Sequence, residues 1–246
     1  MGSQVKVFIL AGGFGTRIRP LFPDSPKPLI PFNDKPFLQW QIELLATQGF
    51  RQFVLCVGYL SEQIIQHFGD GSAFGVNIEY AIENMLLGTG GALQNAATFF
   101  QETIMLLNGD TYLETDYRQV LTQHQELVKQ QGAVGSLSLV HKEDTACYNS
   151  VIIADNGQIT GFKEKLPELG AGLVNAGAYI FEPRILEFIP VNINVSLESN
   201  ILPKVITETG KIFGLQIQGS FIDMGTPEGY NQLLSVFASY QKVSSV

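Results

Sequence analysis

The stretch from Phe8 to Pro31, FILAGGFGTRIRPLFPDSPKPLIP, opens with apolar residues and turns through three glycines in four positions. It then holds five prolines and three cationic side chains. The run Val5–Leu10 (VKVFIL) is too short for a helix and nearly uniform in apolarity, as a strand covered on both faces is. A glycine turn after such a strand suits a phosphate, because backbone without Cβ can approach an anion and aim N–H groups at it. Phosphate loops normally open a helix. Here Pro20, Pro23, Pro26, Pro28 and Pro31 forbid one. The chain instead stays extended and stiff, and it carries Lys27, fixed between two prolines, back over the loop.

Short apolar runs of the same kind recur further along. Gln52–Tyr59 (QFVLCVGY) and Thr103–Asp110 (TIMLLNGD) read as buried strands. Between the first of these strands, Val5–Leu10, and the second, Gln52–Tyr59, KPFLQWQIELLATQGF predicts a helix, with Pro36 in its first turn, Leu38, Ile42 and Leu45 on its apolar face, and Gly49 at its end. Ser61 is placed to cap a second helix, SEQIIQHFG. A third starts from Gly91, and DYRQVLTQHQELVKQQG is a fourth. This alternation predicts an α/β fold: a Rossmann-like, mostly parallel sheet with helices on both faces. The later part adds a small β extension. VIIADNGQITGFKEK is a hairpin turning at Asn156-Gly157, LVNAGAYIF and KIFGLQIQG are further strands, and Pro227 opens a final helix with Leu233, Val236 and Phe237 on one face. With no linker, repeat or low-complexity segment, residues 1–246 are expected to form a single domain.

Composition narrows the partners. Of 246 residues, 45% are hydrophobic, which is enough for one sizeable core. A net charge of −8 argues against nucleic acid as a partner, so any phosphate must be met by a local cluster. Cys56 and Cys147 cannot build a disulfide framework and have no zinc-site spacing. Cys56, inside an apolar run, reads as a small core residue. No segment approaches the ~18 continuous apolar residues of a membrane span, and a soluble cytoplasmic protein without a membrane partner is expected. His67 and His124 fall on predicted helices and read as surface or satisfied core residues.

In open parallel sheets, ligands gather beyond the carboxyl ends of the strands. Three segments share that edge here: AGGFGTR, Gly58-Tyr59 and Asn108-Gly109-Asp110. The glycine loop is not a Walker A sequence, since no Lys-Ser/Thr follows it. Nor is it GxGxxG, because Ile18 stands at the third glycine position, and a nicotinamide oxidoreductase loses its fingerprint. Arg17 adds a planar fork of donors. The Lys27 ammonium suits a phosphoryl group that gains negative charge during reaction. Asp110 ends an apolar strand, where an unpaired carboxylate is costly, and a divalent cation held together with substrate phosphates would resolve that cost. Asp223, in FIDMGTPE, is a second candidate ligand or a turn residue; the residues alone leave both readings open.

Taken together, FILAGGFGTRIRPL…SPKPLIP, DKPFLQW, LLGTGGAL, LNGDTY, FKEK, NAGAYIF, SLESNILPKVI and FIDMGTPEGY resemble the sugar-1-phosphate nucleotidyltransferases, also called NDP-sugar pyrophosphorylases. The resemblance runs from Phe8 to Tyr230. It implies a nucleotide-diphospho-sugar transferase fold and a Mg²⁺-dependent reaction, in which a sugar 1-phosphate attacks the α-phosphorus of an NTP and expels pyrophosphate. By motif, Leu10, Ala11, Gly12 and Gly13, with Gly15 and Thr16 in the same loop, would hold the nucleotide. Arg17 would steady the β/γ-phosphates and Lys27 the α-phosphate. Gly88, Thr89, Gly90 and Gly91 would border base and ribose, and Asp110 and Asp223 would ligate Mg²⁺. Glu164 and Lys165 would meet the sugar and its phosphate, with Asn175, Gly177 and Glu198 lining the sugar pocket. LLGTGGAL and NDKPFL are most similar to the heptose-1-phosphate guanylyltransferase branch, which implies GTP; UTP, CTP or dTTP, or a silent nucleotide-sugar-binding subunit, are the alternatives. Where many members read Arg-Tyr-Gly, this chain has Cys147-Tyr148-Asn149, so Asn149 would add a polar group at the sugar.

Overall fold

The computed structural model of the chain describes residues 5–15, 17–145, 150–163 and 170–243. The expectations at Thr16, Cys147, Tyr148, Asn149, Glu164 and Lys165 lie outside these residues. Strand β1 (Lys6–Leu10) runs into the glycine loop, and the proline stretch ends in a short hairpin of β2 (Pro31–Phe32) and β3 (Lys35–Pro36). Helix α1 (Phe37–Thr47) leads to β4 (Gln52–Val57), α2 (Ser61–Phe68) to β5 (Asn77–Ile82), and α3 (Gly88–Asn95) to β6 (Ile104–Asn108). Then come β7 (Thr111–Leu113), α4 (Tyr117–Gln131), β8 (Gly135–Lys142) and the hairpin of β9 (Ser150–Ile153) and β10 (Ile159–Lys163). The chain finishes with β11 (Gly172–Phe181), a π-turn at Leu197–Ile201 that runs into α5 (Leu202–Thr209), β12 (Ile212–Gln216), β13 (Phe221–Asp223) and α6 (Pro227–Val243).

The main sheet is ordered β10-β9-β11-β6-β1-β4-β5, with β8 on β11 and β12 on β8. Strands β6, β1, β4 and β5 are mutually parallel, so the three predicted strand ends do share one edge. Strand β11 inserts antiparallel to β6 and starts the extension. Alternation along β1 sorts the core into two layers. Val7 and Ile9 bury against Leu38, Ile42 and Leu45 of α1 and Ile64 of α2. Phe8 buries on the other face with Cys56, with Ala92 and Leu93 of α3, and with Leu202 and Val205 of α5. Such two-sided cover is why these strands read as continuous apolar runs.

A third cluster decides where the proline stretch goes. Ile18, Ile30 and Phe32 bury with Phe37 of α1, Tyr112 of β7, Met224, and Leu233 and Phe237 of α6. Trp40 stacks on Phe237 with ring centroids 4.5 Å apart. The last helix therefore clamps the stretch onto α1, over the strand ends.

Local details depart from expectation at three helix starts. Ser61 does not cap α2: Leu60 occupies the cap in a left-handed conformation (φ 52°), and no side chain bonds there. Pro36 is itself the cap of α1 and not a residue of its first turn. Helix α3 begins at Gly88, three residues before the predicted start. Strands β5 and β8 have no counterpart among the predicted elements: β5 is a half-exposed edge, and β8 interleaves its apolar residues with buried Ser136 and Ser138. Among the described residues, no helix is long and apolar enough to cross a membrane.

Candidate active site

The glycine loop is held by the strands on either side of it. Ala11 N donates to Cys56 O, Tyr59 N to Gly12 O and Gly109 N to Leu10 O. A Cβ on Gly12 would lie 2.9 Å from Glu83 Oε1 and 3.2 Å from Gly58 N, and one on Gly109 would lie 2.5 Å from Leu10 O. Gly13 faces open space, and the N–H groups of Gly13, Phe14 and Gly15 have no partner among the described residues. Unpaired amides beside a cleft are an anion-binding arrangement. The cleft itself holds about 200 Å³ and runs from Lys27 and Asp110, past Leu10–Gly13, to Glu83 and Thr89.

The charged groups meet at one end of this cleft. Lys27, with only 10% of its side chain exposed, places Nζ 2.6 Å from Asp110 Oδ2. Arg17 is largely exposed and reaches Asp223 Oδ2 at 3.6 Å. Strand β13 lies antiparallel on β7 with Asp223 opposite Thr111, and Met224 N donates to Asp110 O, so the two aspartates arrive from distant parts of the chain at one corner. Gly225 N donates to Asp223 Oδ1 at 2.7 Å. A Cβ on Gly225 would stand 2.7 Å from each of Lys27 Nζ, Arg17 Nη2 and Asp223 Oδ1. Both cations therefore surround one point.

The same corner can be tested as a metal site. Among the described residues no three His, Cys, Asp or Glu side chains form a metal-holding group. Two carboxylates beside a phosphate-sized cleft suit a hard divalent ion that completes its shell with water and substrate oxygens. Asp110 and Asp223 fit that role.

At the far end of the cleft the four residues Gly88–Gly91 take different surroundings. Gly88 and Thr89 line it, but Gly90 and Gly91 turn away. Their N–H groups donate to Val195 O, and a Cβ on Gly91 would lie 2.6 Å from Ile193 O. These two glycines let α3 pack closely on residues 193–195.

Three of the predicted sugar-side residues form one network. Asn175 Nδ2 donates to the Tyr179 hydroxyl, which donates to Glu198 Oε1 at 2.9 Å. Thr89 and Ser196 hydroxyls donate to Glu198 Oε2. Gly177, at φ 66°, donates its N–H to Asn175 Oδ1 and packs against Asn108. Burial, reinforced by the Glu198 charge, pushes the Tyr179 hydroxyl well above its ordinary pKa, so it stays a donor.

The profile of the Nucleotidyl transferase family matches residues 6–239. This chain belongs to the nucleotidyl transferase family. It is 33% identical to the UTP–glucose-1-phosphate uridylyltransferase of Synechocystis sp., over 94% of this chain and 62% of that protein. It is 34% identical to the mannose-1-phosphate guanylyltransferase of Mycobacterium tuberculosis, over 92% and 63%. The chain thus spans a little under two thirds of the length of these curated relatives. Among solved structures, HddC from Yersinia pseudotuberculosis superposes with a TM-score of 0.82 at 32% identity, covering 95% of this chain and 99% of HddC. The same protein complexed with GMP-PN gives 0.81.

Glu83 and Tyr179 are polar groups at this site that had no sequence prediction. Glu83 follows β5 directly and lines the cleft beside Gly12. Applying the strand-end rule to β5 would have found it, had β5 been assigned. Burial raises its carboxyl above the ordinary range, against a partly opposing bond from Leu87 N. Tyr179 lies in a strand that was read correctly, but sequence does not reveal which aromatic hydroxyl points toward polar company.

Proposed function

We propose that the chain transfers a nucleotidyl group from an NTP, with GTP preferred, to a sugar 1-phosphate of the heptose or mannose type, releasing pyrophosphate. The observation that carries this reading is the meeting of Lys27, Arg17, Asp110 and Asp223 around Gly225, at the end of a cleft floored by free loop amides. Transfer of this kind needs positioning and neutralisation of charge, not a protein nucleophile. The sugar phosphate oxygen attacks the α-phosphorus in line as the bond to pyrophosphate breaks. Loop amides orient the phosphates, and Lys27 meets the charge that grows on the α-phosphoryl group. Arg17, the more exposed cation, suits the departing pyrophosphate. Asp110 and Asp223 would hold Mg²⁺, which supplies further neutralisation of the phosphate oxygens when bound. Glu198 accepts three bonds from the protein, which leaves room on Oε1 for a sugar hydroxyl.

Glu83 favours guanine. An ionised carboxylate only accepts hydrogen bonds, and the N1–H and N2–H₂ edge of guanine only donates. Uracil sets two carbonyl oxygens around a single N–H, which would face the carboxylate with like polarity. The GMP-PN complex of HddC, at 32% identity, supports the same preference.

The decisive experiment is a panel of GTP, UTP, CTP and dTTP against mannose, heptose and glucose 1-phosphates, with and without Mg²⁺, reading released pyrophosphate. Magnesium-dependent turnover, greatest with GTP and a manno-configured sugar, is expected. Turnover with UTP and glucose 1-phosphate above all others would move the assignment to a uridylyltransferase. Silence from folded protein that still binds GDP-sugar would make the chain a sensor or subunit.

A further inference from the structure

We propose that Gln41 is a positioning residue for the Lys27–Asp110 pair, an inference that rests on the transferase reading of this site. Gln41 sits in α1 with only 6% of its surface exposed, among the apolar residues that pack the helix on the sheet. Its Nε2 donates to Asn108 O at 3.0 Å and to Thr111 O at 2.8 Å. Those two carbonyls bracket Asp110 on the chain. One amide group therefore ties the last residue of β6 to the first of β7 and fixes the corner between them.

Two further backbone groups of that corner are also held. Gly109 N is held by Leu10 O, from the strand that feeds the glycine loop, and Asp110 O by Met224 N, from the turn that carries Asp223. Gln41 is the third tether and the one that comes from a side chain. Its amide orientation follows from its partners, since flipping it would face oxygen with two carbonyl oxygens. That orientation leaves Gln41 Oε1 buried with no hydrogen-bond partner. A leucine would fill the same helical position without an orphaned polar atom, so the glutamine is worse for packing than its alternative. What it gains is a corner that cannot rock, and the Asp110 carboxylate, 2.6 Å from Lys27 Nζ, depends on that corner for its aim.

The test uses Gln41→Met, which keeps the length of the side chain and removes both donors. In substrate-free protein, pulse acetylation with acetic anhydride, read at Lys27 by mass spectrometry, should speed up about fivefold as Asp110 loses its aim. Leu45→Ala, which opens a cavity one turn further along α1, should leave that rate unchanged even though it lowers stability. With the best substrate pair, Gln41→Met should lower kcat about tenfold and leave the KM for nucleotide nearly unchanged. Combined with Asp110→Asn it should cost little beyond Asp110→Asn alone. Gln41→Asn retains the amide but reaches only one carbonyl, and an intermediate acetylation rate is expected. Unchanged Lys27 labelling in both Gln41 variants, or full additivity with Asp110→Asn, would overturn the assignment. If no substrate pair turns over, the transferase reading fails, and the labelling still decides what Gln41 does.

Discussion

Glu83 shows at the level of one residue how a carboxyl group buried beside a cleft costs stability. Burial lifts its carboxyl pKa, so the folded protein holds that proton more tightly than the unfolded chain does. Stability contributed by this group therefore falls as pH rises from the unfolded value toward the folded one, and above both the whole deficit is carried. The Glu83→Gln variant keeps an acceptor for Leu87 N and removes the charge. At pH 7 its thermal midpoint should exceed that of the parent, and the two should converge near pH 4, where both carry a neutral side chain. On the proposed reading of the site, its preference for GTP over UTP should drop by about tenfold, because the charge-assisted bonds proposed to the base would be gone. Paired melts at the two pH values and competition between GTP and UTP check both halves. A variant that is less stable at pH 7 would mean the carboxylate is structurally compensated.

At the scale of elements, α3 and the segment at 193–195 form a joint that sequence pattern describes poorly. Glycine to alanine inside a helix ordinarily gains about 0.5–1 kcal/mol. Gly91 should reverse that sign. Its missing Cβ would meet the Ile193 carbonyl at 2.6 Å, and that backbone is anchored by the bond from Val195 N to Leu87 O. Gly91→Ala should lose about 1–3 kcal/mol to overpacking, and each kcal/mol lowers Tm by roughly 2–4 °C in a chain of this length. A raised Tm would show that the segment is free to withdraw. The same joint marks the limit of what could be read in advance. The strand ends were legible because parallel strands covered on both faces are continuous apolar runs. The proline stretch, expected to stay extended, instead winds into short 3-10 turns at Arg19–Leu21 and Lys27–Leu29, where Pro20 and Pro28 fit because their fixed φ suits a tight turn. The family resemblance, not the residues themselves, suggested Gly90 and Gly91 for the border of base and ribose; only the approach of residues a hundred positions away reveals a packing role. Strand β8 stayed hidden because two buried serines, Ser136, which meets His124, and Ser138, break the apolar run.

Across the whole molecule, the two ends of the sheet do different work. The carboxyl ends of the parallel strands carry the cleft. The opposite end of β6 is closed by a buried polar knot, in which His124 of α4 bonds Ser136 Oγ at 2.9 Å and Glu182 Oε1 at 3.1 Å. Thr103, just before β6, donates to the same Glu182 oxygen at 2.6 Å. Ser136 is shut off from solvent, so this Ser–His–Glu trio is a strut that ties α4, β8 and the end of β11 together. The bond from His124, aided by Thr103, holds the Glu182 carboxyl below its ordinary pKa despite partial burial. A depressed carboxylate contributes stability that is complete above the unfolded pKa and is lost as pH falls through the folded one. The chain should therefore lose thermal stability progressively below about pH 4.5. Glu182→Gln should start from a lower Tm at pH 7 and descend less steeply between pH 5 and pH 3, with KM for both substrates unchanged at neutral pH because the cleft lies at the other end of the strands. Parallel acid slopes for the two proteins would place the acid-labile group elsewhere, and a shifted KM would show that the knot and the cleft are coupled through β6.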